Sequence, residues 1–346
     1  MRLGIQLGYS GDDFASEADE AVEFEEAGAD LVVVPEAYSF DAVSRLGYLA
    51  ARTRTMDLAS GVMQLYTRTP TLTAMTAAGL DHVSGGRFNL GLGASGPQVI
   101  EGFHGVRYDA PVARTREIVE ICRRVWRRET LTFEGAHYRI PLPGDYAKPL
   151  KIINHPVRPR VPILLAAMGP RNVALAAEIA EGWQALWLDP RSAERVFGDA
   201  LADGRSRRDP ALGPLDISVP VPFALGDPDP ALLIRHRAQL ALYLGGMGAR
   251  GRNFSNDLVR RYGYADEAKR VQDLYLSGRR AEAVAAVPDD LVTATSLVGR
   301  PDDVRRGLDA LAAAGVTTLL ASPLATTRAE RVKDIAELHR LLPGRA

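Results

Sequence analysis

The sequence predicts an α/β fold of one particular kind, a (β/α)8 TIM barrel with a mainly helical insertion between strands seven and eight. Three observations lead there. Short apolar runs alternate with segments of helical spacing, eight such runs occur in 346 residues, and no low-complexity linker divides them. One domain over residues 1–346 is therefore expected, with the insertion at about 226–297.

The elements follow in order. Leu3 to Leu7 is the first apolar run, and Gly8 to Asp13 is a turn cluster. Phe14, Ala18, Ala21 and Val22 then recur at helical spacing up to a stop at Ala27-Gly28. Leu31 to Val34 is uninterrupted aliphatic sequence, the mark of a strand covered on both faces. A helix is expected over Ala42 to Arg54, a third strand over Met56 to Met63, and a helix marked by Leu72, Met75, Leu80 and Val83. Arg87 to Leu92 is the fourth strand, and Pro97 to Pro111 reads as a long loop. After a helix through Ile118 and Trp126, residues 131–151 suggest a hairpin or excursion. Pro162 to Ala167, Gln184 to Leu188, Ile217 to Phe223 and Val316 to Ala321 complete the strands. Helices are expected from Asn172 to Ala180, three times within the insertion, around Leu308, and from Arg328 to Leu342.

Composition excludes several classes. Forty-two Lys and Arg against 43 Asp and Glu leave a net charge of -1, so no global field draws nucleic acid or a membrane surface. No apolar run approaches the roughly 20 residues of a membrane helix, and residues 1–30 lack a signal-peptide pattern. The single cysteine, Cys122, fits a reducing compartment, and a cytoplasmic location is expected. Six histidines without paired spacing make a metal site improbable, and neither a P-loop nor a G-x-S-x-G elbow is present. An enzyme on this scaffold would need an organic cofactor.

Three stretches carry candidate chemistry. Gly91, Gly93 and Gly96 match G-x-G-x-x-G, readable as a dinucleotide turn, a bare tight turn, or the mouth loop of a barrel strand. Pro97 and the lack of an immediate helix argue for the mouth loop. Gly61, inside an otherwise packed strand, marks a bulge or a close backbone approach to a ligand. Met168 to Asn172 joins a strand to a helix and offers free amides beside Arg171, a phosphate site or a simple cap.

The run from Arg68 to Gly93, closing on Ser84-Gly-Gly-Arg-Phe-Asn-Leu-Gly-Leu-Gly93, resembles the core signature of the bacterial-luciferase-like flavin family. Phe103 to Tyr108, Arg114 to Ile121, Pro162 to Glu178, Gly182-Trp183 and Gly245 to Asp257 continue the resemblance in order, the last ones resembling an actinobacterial branch that uses coenzyme F420. The resemblance implies a TIM barrel and a homodimer. It also implies a deazaflavin or flavin ring over a third-strand bulge with a non-prolyl cis peptide, mapping to Gly61-Val62 or, second, to Ser60-Gly61. Gly61, Val62, Met63 and Gln64 would line that bulge. Gly93, Ala94, Ser95, Gly96 and Gln98 in one loop, and Ala166, Ala167, Met168, Gly169, Pro170 and Arg171 in another, would hold the ribityl chain and phosphate.

One departure narrows the function. Sugar-phosphate dehydrogenases of the family carry a histidine just past strand two and an acid in the strand-four loop. This chain has Pro35-Glu36-Ala37-Tyr38 at the first place, and Ser95 and Gln98 at the second. Glu36 and Tyr38, with His104 behind them, are the expected proton-transfer candidates. The expected activity is F420-dependent hydride transfer to or from a small organic molecule. An FMN-dependent two-component monooxygenase is the alternative, and a non-catalytic flavin-binding barrel the remote one.

Overall fold

The computed structural model describes residues 1–9, 13–227 and 230–344. Of the turn expected at Gly8 to Asp13, residues 10–12 lie outside the described residues, as do residues 228–229 at the start of the insertion.

Eight strands form the barrel: β1 (Arg2–Gln6), β2 (Leu31–Val34), β3 (Asp57–Ser60), β4 (Phe88–Gly93), β5 (Ile163–Ala166), β6 (Gly182–Gln184), β7 (Asp216–Leu225) and β8 (Thr318–Pro323). Each runs parallel to the next, and β8 pairs with β1, so the ring of eight closes. The expected (β/α)8 barrel is what the chain forms.

Its local causes are legible. Within β2, Leu31 and Val33 point into the barrel and pack with Ala59, Leu164 and Leu320. Val32 and Val34 face the surrounding helices and join the larger outer core. Helix Ala42–Arg52 starts on Asp41, whose carboxylate accepts from the Ser44 N–H at 2.8 Å. Pro70 opens helix Pro70–Val83 behind a Thr69 cap, and Thr327 with Glu330 forms a capping box on Arg328–Leu341.

Several expectations need correction. The third strand does not run unbroken from Met56 to Met63. It stops at Ser60 and resumes as Met63–Gln64, paired to Leu92 and Gly93 of β4, with the kink at Gly61-Val62 between. The sixth strand is Gly182–Gln184 rather than Gln184 to Leu188, because the chain leaves the sheet and Trp187 takes a left-handed conformation, φ 47°. Pro97 to Pro111 is not wholly loop, since Pro97–Gly102 is helical. Helix Ala193–Ser206, which buries Phe197, is absent from the sequence prediction. The expected hairpin appears as Phe133–Glu134 against Arg139–Ile140.

The insertion holds helices Pro230–Gly245, Phe254–Arg261, Ala265–Leu276, Arg280–Ala285 and Asp289–Ala294. It ends in a strand that the sequence does not signal, Leu297–Gly299, which pairs parallel with Phe223 to Leu225 and extends the C-terminal end of β7.

Candidate active site at the barrel mouth

A cavity of about 530 Å3 opens at the C-terminal ends of the strands. Gln6, Gly61, Val62, Ala166 and Gln184 line it from the barrel side. The peptide joining Gly61 to Val62 is cis and non-prolyl, the first of the two placements implied by the resemblance; that between Ser60 and Gly61 is not cis.

The kink is held from below by backbone and glycine. Ser60 Oγ donates to the Gly91 carbonyl at 2.8 Å and accepts from the Gly91 N–H at 2.9 Å. A Cβ on Gly91 would lie 1.7 Å from the Ser60 carbonyl oxygen, and one on Gly93 would lie 2.7 Å from Val62 Cγ2. One on Gly61 would lie 2.1 Å from Val33 Cγ1. Two glycines of the G-x-G-x-x-G spacing thus exist to let the bulge press against β4. The third, Gly96, caps the short helix Pro97–Gly102, so the missing helix was the wrong ground for rejecting a dinucleotide turn. The closed barrel and these contacts are the right one.

The neighbouring loops meet at the same end. Gln64 is buried; its Nε2 reaches the Ala37 carbonyl and Ser95 Oγ, and its Oε1 has no protein partner. Met63 is wholly buried in the outer core. Ala94 packs on that core, while Ser95 adopts φ 59°. Gln98 is not among the residues that line the main cavity. With its amide oriented to donate to Met247 O at 3.0 Å, it accepts from the Gly248 and Ala249 N–H groups at 3.0 and 3.2 Å. In the strand-five loop the Ala167 carbonyl accepts from Trp183 Nε1 at 2.9 Å, and the Met168 carbonyl accepts from Arg261 of the insertion. Gly169 and Pro170 open helix Pro170–Ile179 without a side-chain cap, leaving its first amides free beside an exposed Arg171.

The three proton-transfer candidates are split. Tyr38 and His104 flank the Phe103 ring, at 6.2 and 5.1 Å between centroids, and His104 Nε2 is buried without a partner. Glu36 is engaged elsewhere. Its carboxylate takes a two-pronged ion pair from Arg68 at 2.6 and 2.9 Å and a third bond from the Ala42 N–H at 2.9 Å. That hydrogen-bonded carboxylate holds the Arg68 guanidinium above its ordinary pKa. None of the three lines the 530 Å3 cavity.

The opposite wall comes from residues that sequence reasoning did not single out. Tyr9 follows β1, and His236, Gln239 and Tyr243 lie on helix Pro230–Gly245. Their spacing of three and four was a legible signal: a polar stripe down a helix rich in leucine and alanine. Burial pushes His236 down to about 4, so it is neutral near pH 7. Tyr9 is 51% exposed as a whole residue, yet desolvation around its hydroxyl, helped by Tyr243, raises its pKa. Cys122 is fully buried, its thiol pushed up to about 12, and takes no part. Among the described residues no cluster fits a metal ion, and no helix is long and apolar enough to cross a membrane.

Comparison with known proteins agrees with this architecture. A Mycobacterium tuberculosis protein, provisionally named a coenzyme F420-dependent oxidoreductase, is 42% identical over 351 residues, covering 98% of this chain and 99% of its own length. The coenzyme F420-dependent tetrahydromethanopterin reductase of Methanopyrus kandleri superposes with a TM-score of 0.81 at 20% identity, covering 97% of both chains. An F420-dependent secondary alcohol dehydrogenase, solved with an F420-acetone adduct, gives 0.75 at 16% identity, covering 99% of this chain and 98% of its own. Residues 1–318 match the model of the luciferase-like monooxygenases, and the chain belongs to that family.

Proposed function

We propose that the protein is an F420-dependent oxidoreductase acting on a small organic substrate, with the whole chain as one catalytic domain. The observation that carries this is the 42% identity, end to end, with a relative named for the same cofactor. Bound coenzyme F420 supplies a two-electron centre at its deazaflavin C5, which takes or gives a hydride.

The residues fit such a group. Gly61 and Val62 offer a flat backbone surface at the cavity floor, and the unpaired Gln64 Oε1 is an acceptor for a ring or ribityl donor. Gly169 has open space where a Cβ would stand, and one on Gly96 would make only ordinary contacts with Gln98 and Met247, so a ribityl chain can run close to Ala94, Ser95 and the Ala166-to-Gly169 loop. The free amides after Pro170, with Arg171, suit a phosphate. This chain's part in the chemistry is then to orient the two reactants and exclude water. Tyr38 and His104, which flank Phe103 outside the cavity lining, would serve proton transfer to a substrate that extends past that lining. Glu36 serves instead as a brace between the exits of β2 and the third strand, since all its bonds are already made.

Titrating the apo-protein with F420 and with FMN tests the proposal. Fluorescence should report F420 binding in the micromolar range or tighter and far weaker FMN binding. Tight FMN binding with negligible F420 binding would establish the monooxygenase alternative. Binding without turnover on enones, imines and alcohols would favour a binding-only barrel.

A cytoplasmic homodimer completes the proposal. Leu72, Met75 and Val83 are exposed along helix Pro70–Val83 beside an open Gly79, an apolar stripe that a second copy would cover. Light scattering at micromolar concentration checks it.

A further inference from the structure

We propose that helix Pro230–Gly245 is the substrate-recognition wall: His236, Gln239 and Tyr243, facing Tyr9, bind an uncharged substrate through hydroxyl or carbonyl oxygens. The identity of the reaction rests on the F420 reading above.

The first support is position. Gln239 and Tyr243 follow His236 at three and seven residues, so the three share one helix face over roughly 10 Å. All line the cavity that Gly61 and Val62 floor. A helix packed on a barrel normally turns an apolar stripe inward; this one buries Leu240, Ala241 and Leu244 and also turns hydrogen-bonding groups to the cavity.

The second support is an unsatisfied group. His236 is 2% exposed, and its Nε2 lies 2.8 Å from Thr295 Oγ1. Thr295 uses its own hydroxyl proton on the Leu291 carbonyl, also at 2.8 Å. Nε2 therefore carries the imidazole proton and donates, leaving Nδ1 as a lone-pair acceptor. No protein group donates to it. Buried polar atoms are rarely left so, and a hydroxyl in the cavity would satisfy it. The Tyr9 and Tyr243 hydroxyls, which also line the cavity, add donors suited to a carbonyl oxygen.

The third support is charge. Arg331 of the lining is already neutralised by a two-pronged pair with Glu20 at 2.6 and 3.0 Å, and Arg45, outside the lining, is held by the lining residue Glu17 at 2.7 Å. An anionic substrate would find these cations taken. Arg235, exposed at the rim, is the one cation of the wall without a carboxylate partner among the described residues.

Binding tests separate this from the cofactor reading. F420 is titrated first by its own fluorescence, on wild type, Tyr243→Phe, Gln239→Leu and Arg235→Ala. Cyclohexanone, cyclohexanol and the anionic ketone levulinate are then titrated by quenching of Trp187, which lines the cavity and stacks edge-on against Tyr243 at 4.8 Å. The expected result is unchanged F420 affinity in all four proteins. Cyclohexanone and cyclohexanol should bind at least tenfold more weakly to Tyr243→Phe and Gln239→Leu, and levulinate more weakly than either in wild type. Unchanged affinity for the neutral ligands in both variants overturns the proposal. So does tighter binding of levulinate that is lost in Arg235→Ala. Absence of F420 binding would sink the cofactor reading alone: the neutral ligands are then titrated on the apo chain, where loss in the two variants upholds the wall and no loss overturns it. Far-ultraviolet circular dichroism and melting confirm that each variant is folded.

Discussion

The two sides of the mouth cavity are made of different material. On the β3–β5 side the surface is backbone: a kinked strand, three glycines that let it sit down, and a helix start with free amides. On the insertion side it is side chains: a histidine, a glutamine and two tyrosines on a long helix and the loop after β1. A backbone surface tolerates almost no change beneath it but is indifferent to the identity of most exposed side chains. A side-chain surface is the reverse. The first suits an invariant partner such as a cofactor ring, and the second suits a substrate that differs between relatives.

That contrast predicts a hierarchy of effects. Gly91→Ala should be the most damaging, because the new methyl meets the Ser60 carbonyl rather than a movable side chain. We expect a loss of about 4 kcal/mol or more in urea unfolding, with F420 binding abolished in any folded fraction.

His236 comes next. Its folded value, about 4, lies below its unfolded value of 6.5, so the unfolded chain takes up a proton first as pH falls. Its contribution is absent above pH 6.5, and stability should fall by about 3 kcal/mol between pH 6.5 and 4. Subtracting the pH–stability curve of His236→Gln from that of wild type isolates this slope. A flat difference would show that the imidazole is not held neutral.

Glu36→Gln should cost about 2 kcal/mol, since the amide cannot balance an Arg68 that is only 15% exposed. Its F420 affinity and pH–rate profile should not move. A displaced profile would return Glu36 to the chemistry.

Arg171→Ala should have the smallest effect, about fivefold weaker F420 binding with no change in melting, because the side chain is exposed and the helix amides remain.

Much of the barrel was readable because its strands are short, apolar and punctuated by glycine and proline. Leu31 to Val34 and Pro162 to Ala167 could be nothing else. The kink was readable only as an anomaly at Gly61, and its location came from resemblance. What no pattern in β4 disclosed is that Gly91 and Gly93 serve their neighbour strand, since that fact resides in an inter-strand distance. Glu36 misled for a similar reason: its position past a strand end suits catalysis, while its partner, Arg68, lies 32 residues on. Helix Ala193–Ser206 escaped because glycine and three acids dilute its apolar face. His236 was visible but was weighed as a metal ligand, when the informative fact was its company at Gln239 and Tyr243.

The Gln98 amide binds Met247, Gly248 and Ala249 at once, stitching the β4 exit to the loop that ends helix Pro230–Gly245. The two walls are therefore one mechanical part. Transplanting the insertion of a relative to import its substrate range would cut this stitch unless the graft keeps the backbone course of residues 247–249 that meets Gln98. A chimera made without it should lose grip on the cofactor although no cofactor contact was exchanged.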